Sequence, residues 1–334
     1  MTQNIADLAR RVLALDAEAT VRRITEFIQA QVGGTFRRRG VVVAISGGVD
    51  SAVCAALAVR AFGPRRVFGL MMPERDSDAS SLELAKELVE QLGNGYAVED
   101  ISPVLEAAGC YRRRDEAVRS VVPEFSAGWG MKVVLPVDRL ESDRLNVSQL
   151  VVLPPAGEER TVRLPAATYL AIVAATNLKQ RVRKMLEYHH ADRLHYAVLG
   201  TPNRLEYDQG FFVKGGDGLA DVKPIAHLYK TQVYQLADHL GIPEAITARP
   251  PTTDTYTLTQ TQEEFYFSLP TAAMDLLLHA RSAGRSVQDT ARELGFEPDQ
   301  VERVFRDIDQ KRATTRYLHA GPLLVEPVDL AQEA

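Results

Sequence analysis

Six residues, Ser46-Gly47-Gly48-Val49-Asp50-Ser51, stand directly between an apolar run, Val41-Val42-Val43-Ala44-Ile45, and a helical segment from Ser51 to about Phe62. A short β-branched run of this kind is buried on both faces of a parallel sheet. Paired glycines permit positive φ and close backbone approach, so successive amide N–H groups can converge on phosphate oxygens at a helix N-terminus. Ser46 and Ser51 add hydroxyl donors. Asp50 is the odd member, because a carboxylate beside phosphates is repulsive unless a cation lies between them, which marks it as a Mg²⁺ ligand. A tight glycine turn without a ligand is the plain alternative; the strand, loop and helix context of the whole string favours phosphate. The string has neither the Lys and glycine spacing of a Walker A loop nor a GxGxxG pattern.

The surroundings extend this unit into an α/β fold with a doubly wound, mostly parallel sheet. Val67 to Met71 reads as a second strand, Ser80 to Leu92 as a helix with Leu84, Leu88 and Leu92 on one face, and Tyr96 to Ile101 as a third strand. Upstream, Ile5 to Val32 reads as one or two amphipathic helices ended by Gly33 and Gly34. From about Leu105 to Pro165 the alternation stops. There Val147 to Leu153 and Thr161 to Leu164 flank the polar turn Pro154 to Glu159, which predicts a hairpin within an inserted segment. Arg112 to Arg114 in this stretch read either as solvated charge or as an anion site. The pattern resumes with a helix from about Thr168 to His190, a strand at Tyr196 to Leu199 and a helix from Tyr229 to Leu240 stopped by Gly241. Beyond Pro270 come two or three short helices. The expected organisation is an α/β domain over residues 1–270, with the insertion at about 105–165, and a helical C-terminal extension over 271–334 that completes it.

Composition removes several classes of function. The chain has 334 residues with 39 Lys and Arg against 44 Asp and Glu, a formal charge of −5, which argues against a nucleic-acid partner. Its two cysteines, Cys54 and Cys110, allow no disulfide framework and no cysteine zinc site, and Cys54 reads as core. His189-His190 are adjacent on a helix and point apart, so they do not read as a zinc pair. No apolar run approaches the roughly 18 residues of a membrane span and no signal sequence is evident, so no membrane association and a cytoplasmic location are expected.

The string SGGVDS resembles the pyrophosphate loop of the N-type ATP pyrophosphatases, which cleave ATP between its α and β phosphates. Further along, Asn177-Leu-Lys-Gln-Arg181-Val-Arg183, Leu199-Gly-Thr201-Pro-Asn-Arg-Leu-Glu206, Gly210 to Gly218, Ala220-Asp221-Val-Lys-Pro224-Ile, Leu228-Tyr-Lys230 and Pro250-Pro-Thr252-Thr-Asp254 with Gln262-Glu-Glu264 resemble the ammonia-dependent NAD synthetase family. Order and spacing match from about Val41 to Lys311, apart from the insertion.

The resemblance implies an adenine nucleotide alpha hydrolase-like fold and a ligase with ATP as co-substrate and Mg²⁺ as cofactor. A carboxylate of deamido-NAD is adenylated with loss of pyrophosphate, and ammonia then displaces AMP. It implies Asp50 and Glu206 as metal ligands, Asp50 and Lys230 as catalytic residues, and Ser46 to Ser51, Thr201, Lys230 and Thr252 as ATP contacts. Arg181, Lys214, Asp221 and Lys311 fall where the family holds deamido-NAD. A homodimer is implied. About forty residues precede the first strand, too few for the glutaminase domain of glutamine-dependent members, so the donor is free ammonia or ammonia from a separate glutaminase subunit. Three departures bear on the acid substrate: Pro202 replaces a usual glycine, Gln310-Lys311 replaces a usual His-Lys, and the insertion lies near the family's substrate site. They motivate the alternative of an amide ligase acting on a different carboxylate.

Overall fold

The computed structural model describes residues 2–135, 140, 148–253 and 255–328. Val147, at the start of the expected hairpin, and Asp254, in the downstream motif, lie outside the described residues, as does the end of the C-terminal extension beyond 328.

The apolar run forms β1 (Val41–Ala44), the inner strand of a parallel four-stranded sheet. It pairs with β2 (Val67–Met71) on one side; β3 (Gly95–Val98) lies beyond β2, and the strand at Ala197–Leu199 flanks β1 on the other side. Side chains alternate across such a sheet. Val41 and Val43 enter one core with helices Ala17–Gln29, Val49–Phe62, Ala79–Leu92 and Lys230–Leu240. Val42 enters the opposite core with Leu70, Val198, Leu105, Tyr111 and Val182. The sheet is therefore covered on both faces.

Helix Val49–Phe62 is buried nearly all round because it is built of small residues: Ala52, Cys54, Ala55 and Ala58 are fully buried, which brings its axis close to the sheet. Cys54 is core, as its position one turn inside the helix suggested. Replacing the fully buried Leu57 with alanine there would cost about 2–5 kcal/mol.

The stretch from 105 to 165 divides in two. Helices Ser102–Ala107 and Cys110–Arg119 pack on the sheet through Leu105, Cys110 and Tyr111. A separate antiparallel sheet follows: β4 (Gly130–Val134), β5 (Gln149–Leu153) and β6 (Arg160–Arg163), in the order β4-β5-β6. The β5–β6 hairpin matches the apolar runs and the polar turn between them. No periodicity or turn pattern marks β4 as a third strand. Completing the parallel sheet, β7 (Ala197–Leu199) follows the 29-residue helix Ala166–Leu194.

At the N-terminus the helical path does not stop at the glycines but runs through a wider turn, Ala30–Thr35. Helices Thr271–Ser282, Val287–Leu294 and Pro298–Thr315 share a core with Ala9 and Leu13, so both ends of the chain meet on one side of the α/β unit.

Candidate active site

The phosphate loop leaves β1 and enters its helix at Val49, two residues earlier than the periodicity suggested. Gly47 has φ +80°, and a Cβ there would come 2.4 Å from the Ser81 carbonyl oxygen, so the loop requires glycine twice over. Gly48 caps the helix without a side-chain acceptor, which leaves first-turn N–H groups for a ligand. The serines brace the loop internally: Ser51 Oγ donates to the Gly48 carbonyl at 2.9 Å and accepts from Ser46 N at 3.2 Å. Ser46, Gly48, Val49, Asp50 and Ser51 line a cavity of about 530 Å³. Gly47 shapes the loop from behind.

Three charged side chains converge above it. Asn203 caps helix Arg204–Gln209, accepting from Leu205 N at 2.9 Å and Glu206 N at 3.3 Å, while Glu206 Oε2 accepts from Asn203 N at 3.0 Å. This capping box fixes Glu206. The Asn203 amide also donates to Asp50 Oδ1 at 3.2 Å, and Gln262 donates to Glu206 Oε1 at 2.9 Å. Lys230, first residue of its helix, donates its ammonium to Asp50 Oδ2. Burial and then the charge of Asp50 push the Glu206 carboxyl up to about 8. For Lys230, burial opposes the ammonium, but Asp50 and Glu206 outweigh it and hold the group protonated.

Asp50 balances Lys230, and Glu206 ionises fully only when a cation offsets its burial and the charge of Asp50. The donor set fits a hard divalent cation with oxygen ligands. Among the described residues no three His, Cys, Asp or Glu side chains gather as a metal cage. Mg²⁺ needs none, since it keeps waters and shares phosphate oxygens with one or two carboxylates.

Thr201, Thr252, Arg181 and Lys214 also line the cavity. Arg181 Nε donates to the Lys214 carbonyl at 3.3 Å, and Lys214 Nζ donates to the Tyr317 and Ala320 carbonyls at 2.8 Å each, tying the cavity's far end to the C-terminal segment. Asp221 and Lys311 lie off the wall. Asp221 accepts from Val198 N at 2.7 Å and from the Tyr188 hydroxyl at 3.1 Å, bracing the β7 strand. Lys311 donates to the Tyr266 carbonyl at 2.9 Å, behind a ring that does face the cavity.

Sequence reasoning missed Asn203, Gln262 and a buried ion cluster. In that cluster Lys179 Nζ donates to Glu74 Oε1 at 2.7 Å, Asp76 Oδ2 at 2.9 Å and the Thr255 carbonyl at 2.7 Å. Arg114 joins it at Asp76, whereas Arg112 pairs with Glu116 on the surface, so the basic triplet serves two different purposes. The capping signature Asn203-x-x-Glu206 was a readable signal for the first of these.

A parallel sheet ending in a glycine-rich phosphate loop, with two carboxylates and a lysine gathered above it, defines an enzyme that works on nucleotide phosphates. The family model for NAD synthase matches residues 20–122 and 160–316. The chain belongs to this family, and its fold is the adenine nucleotide alpha hydrolase-like one. It is 56% identical over 321 residues to the NH(3)-dependent NAD(+) synthetase of Rhizobium rhizogenes, covering 96% of each chain. It is 58% identical over 314 residues to that of Mesorhizobium japonicum, covering 94% of this chain and 98% of the other. Among solved structures, NMN synthetase from Francisella tularensis superposes with a TM-score of 0.64 at 21% identity, covering 93% of this chain and 98% of that one. NH3-dependent NAD synthetase from Campylobacter jejuni does so at 0.61 and 21%, covering 93% and 100%. These two share the fold. The stretch the family model leaves unmatched, 123–159, contains β4 and β5.

Proposed function

We infer that this chain is a ligase that amidates deamido-NAD with ammonia and ATP, giving NAD, AMP and pyrophosphate. One observation carries the reading: Asp50, Glu206 and Lys230 converge over the phosphate loop in a chain 56–58% identical, nearly end to end, to proteins named for that reaction. That degree of likeness weighs against an amide ligase for a different carboxylate.

Carboxylates resist attack by ammonia, and forming a mixed anhydride with AMP supplies a leaving group. The acceptor carboxylate attacks the α-phosphorus, the bond to the bridging oxygen breaks, and pyrophosphate departs. N–H groups at the start of helix Val49–Phe62 and the Ser46 hydroxyl bind the departing phosphates, while Ser51 keeps the loop in shape. Lys230 acts as a point charge on the negative charge that develops. Asp50 and Glu206 would hold Mg²⁺, which when bound neutralises phosphate charge. Thr201 and Thr252 support ATP binding, and Arg181 and Lys214 attract the dinucleotide's phosphates at the other end of the cavity. Ammonia then attacks the acyl carbon and AMP leaves. Asp221 and Lys311 act from behind the wall.

A homodimer, a cytoplasmic location and a supply of ammonia either free or from a separate glutaminase subunit belong to the same proposal. No helix among the described residues is long and apolar enough to cross a membrane. Purified protein given ATP, Mg²⁺, ammonium and deamido-NAD is expected to form NAD and AMP in equal amounts. Absence of NAD above background would overturn the reading, and sedimentation of the same sample tests the dimer.

A further inference from the structure

Gln260 stands where the inserted sheet meets the wall of the cavity. The residue is 2% exposed, and its side-chain amide donates to the Val133 carbonyl on β4. Its Oε1 accepts from Thr253 Oγ1 at 3.2 Å, and its backbone carbonyl accepts from Thr253 N at 3.1 Å. Thr253 adjoins Thr252, a cavity residue.

Other bonds repeat this attachment along the same segment. Met131 N donates to Thr257 Oγ1 at 2.7 Å, Leu258 N to the Met131 carbonyl at 3.2 Å, and Leu135 N to the Glu264 carbonyl at 2.8 Å. Where Leu258 crosses the sheet the chain has Gly130, and a Cβ there would come 2.5 Å from Leu258 Cδ2. The segment thus lies along β4 as an irregular fourth member. Its far end reaches the reaction centre, because Gln262 donates to Glu206 Oε1 at 2.9 Å.

β4 falls within the 123–159 stretch that the family model does not match. The inserted sheet therefore meets the reaction centre through the segment that carries Thr252 and Gln262. An irregular segment ordered by substrate alone would draw its ordering entropy from binding at every turnover. Attachment to a sheet transfers that cost to folding.

We propose that the inserted sheet is a scaffold that holds the segment carrying Thr252 and Gln262 against the phosphate site before ATP arrives, with Gln260 as the positioning residue. The proposal rests on the reading above that Thr252 and Glu206 serve ATP and its metal. Gln260 touches no substrate and acts through Thr253 and β4.

Gln260→Met keeps the length of the side chain and removes both amide bonds. In the full-length protein it is expected to raise the KM for ATP about tenfold, with kcat changed less than about threefold and the KM for ammonium unchanged. Chymotrypsin is expected to cut the unliganded variant within residues 255–267 faster than wild type, and MgATP to slow that cleavage. Thr257→Val removes a separate anchor and serves if Gln260→Met does not fold; the same direction of change is expected from it. An ATP KM within twofold of wild type in a folded variant, with unchanged cleavage, overturns the scaffold. A loss of thermal stability alone, with both readouts unmoved, overturns it equally. If wild type makes no NAD the functional reading fails instead, and calorimetric ATP binding to wild type and variant still decides the scaffold.

Discussion

Lys230 rests its ammonium on the carboxylate of Asp50, 180 residues earlier in the chain, with their side chains 3% and 17% exposed. Each ion is thereby oriented toward the phosphate loop before a nucleotide is present. Removing Asp50 leaves Lys230 with Glu206 as its remaining counter-charge, and removing Lys230 leaves two carboxyls without an ammonium.

Asp50→Ala is expected to reduce pyrophosphate release about 10²–10³-fold, because the cation that would offset phosphate charge loses a ligand and Lys230 loses its partner. It also leaves the buried ammonium with Glu206 alone as counter-charge, costing about 1–3 kcal/mol in urea unfolding at pH 7. Lys230→Met should match it in rate, and the double variant should be little worse than either, because the two act as a unit. Wild-type pyrophosphate release from Asp50→Ala would show that the loop is not catalytic.

Gly47→Ala tests the loop's backbone. The substitution places a Cβ against the Ser81 carbonyl at a φ of +80° that L residues avoid, at a cost of about 1–3 kcal/mol from conformation alone. The loop must shift away from the helix N-terminus to relieve the contact. The expected result is ATP binding weakened about tenfold or more by calorimetry, from a protein that still unfolds cooperatively. Unchanged ATP affinity would show that this conformation is not needed for phosphate.

The parallel sheet and the phosphate loop were legible because their signals are local: a β-branched run, a glycine pair, helical periodicity. The helix starts at Val49 and Ala166 moved by two residues, where cap geometry decides, and the long helix ends four residues later than its pattern suggested, at Leu194. Asp50 was legible from the loop's own chemistry and Glu206 and Lys230 through resemblance, whereas the course of the cavity wall, from which Asp221 and Lys311 stand back, follows from the fold alone. β4 was hidden because Gly130-Met131-Lys132-Val133-Val134 follows no clear turn signal, and its partners lie in a distant hairpin and in 257–264. Lys179 belongs to a motif and is 1% exposed because ion pairs with Glu74 and Asp76, about a hundred residues earlier in the chain, hold it in the interior. No local pattern encodes such a pairing.

That cluster carries a prediction about stability. Burial works against ionised Asp76, yet Lys179 and then Arg114 hold its carboxyl below the usual range. A depressed carboxyl contributes stability above its unfolded value and loses it as pH falls through the folded one. Lys179→Met leaves Glu74 and Asp76 buried without their ammonium, at a cost of about 3–5 kcal/mol near neutrality. Its acid unfolding should begin at a higher pH than that of wild type. Adding Glu74→Gln should restore part of the loss, since one stranded charge is removed. A Lys179→Met protein as stable as wild type across this range would mean that the cluster contributes nothing.

Asp275 links pH to the placement of Lys230. It is fully buried and accepts from Lys230 N at 3.2 Å, Thr231 N at 2.7 Å and Thr231 Oγ1 at 2.6 Å, so it caps the helix that begins with Lys230. Burial pushes its carboxyl up to about 6 from an ordinary 3.8, against the opposing pull of those hydrogen bonds. A raised acid reverses the usual sign: the cost of keeping it ionised is complete above pH 6 and is relieved as pH falls toward 3.8. Asp275→Asn cannot titrate, so wild type should gain stability relative to this variant between about pH 6 and pH 4. At pH 7.5 the Asn amide opposes Thr231 N–H and disturbs the first turn, and pyrophosphate release should fall about tenfold. Urea unfolding of both proteins at half-unit pH steps checks the first expectation. A stability difference that stays flat from pH 7 to pH 4 would show that Asp275 does not titrate in this range.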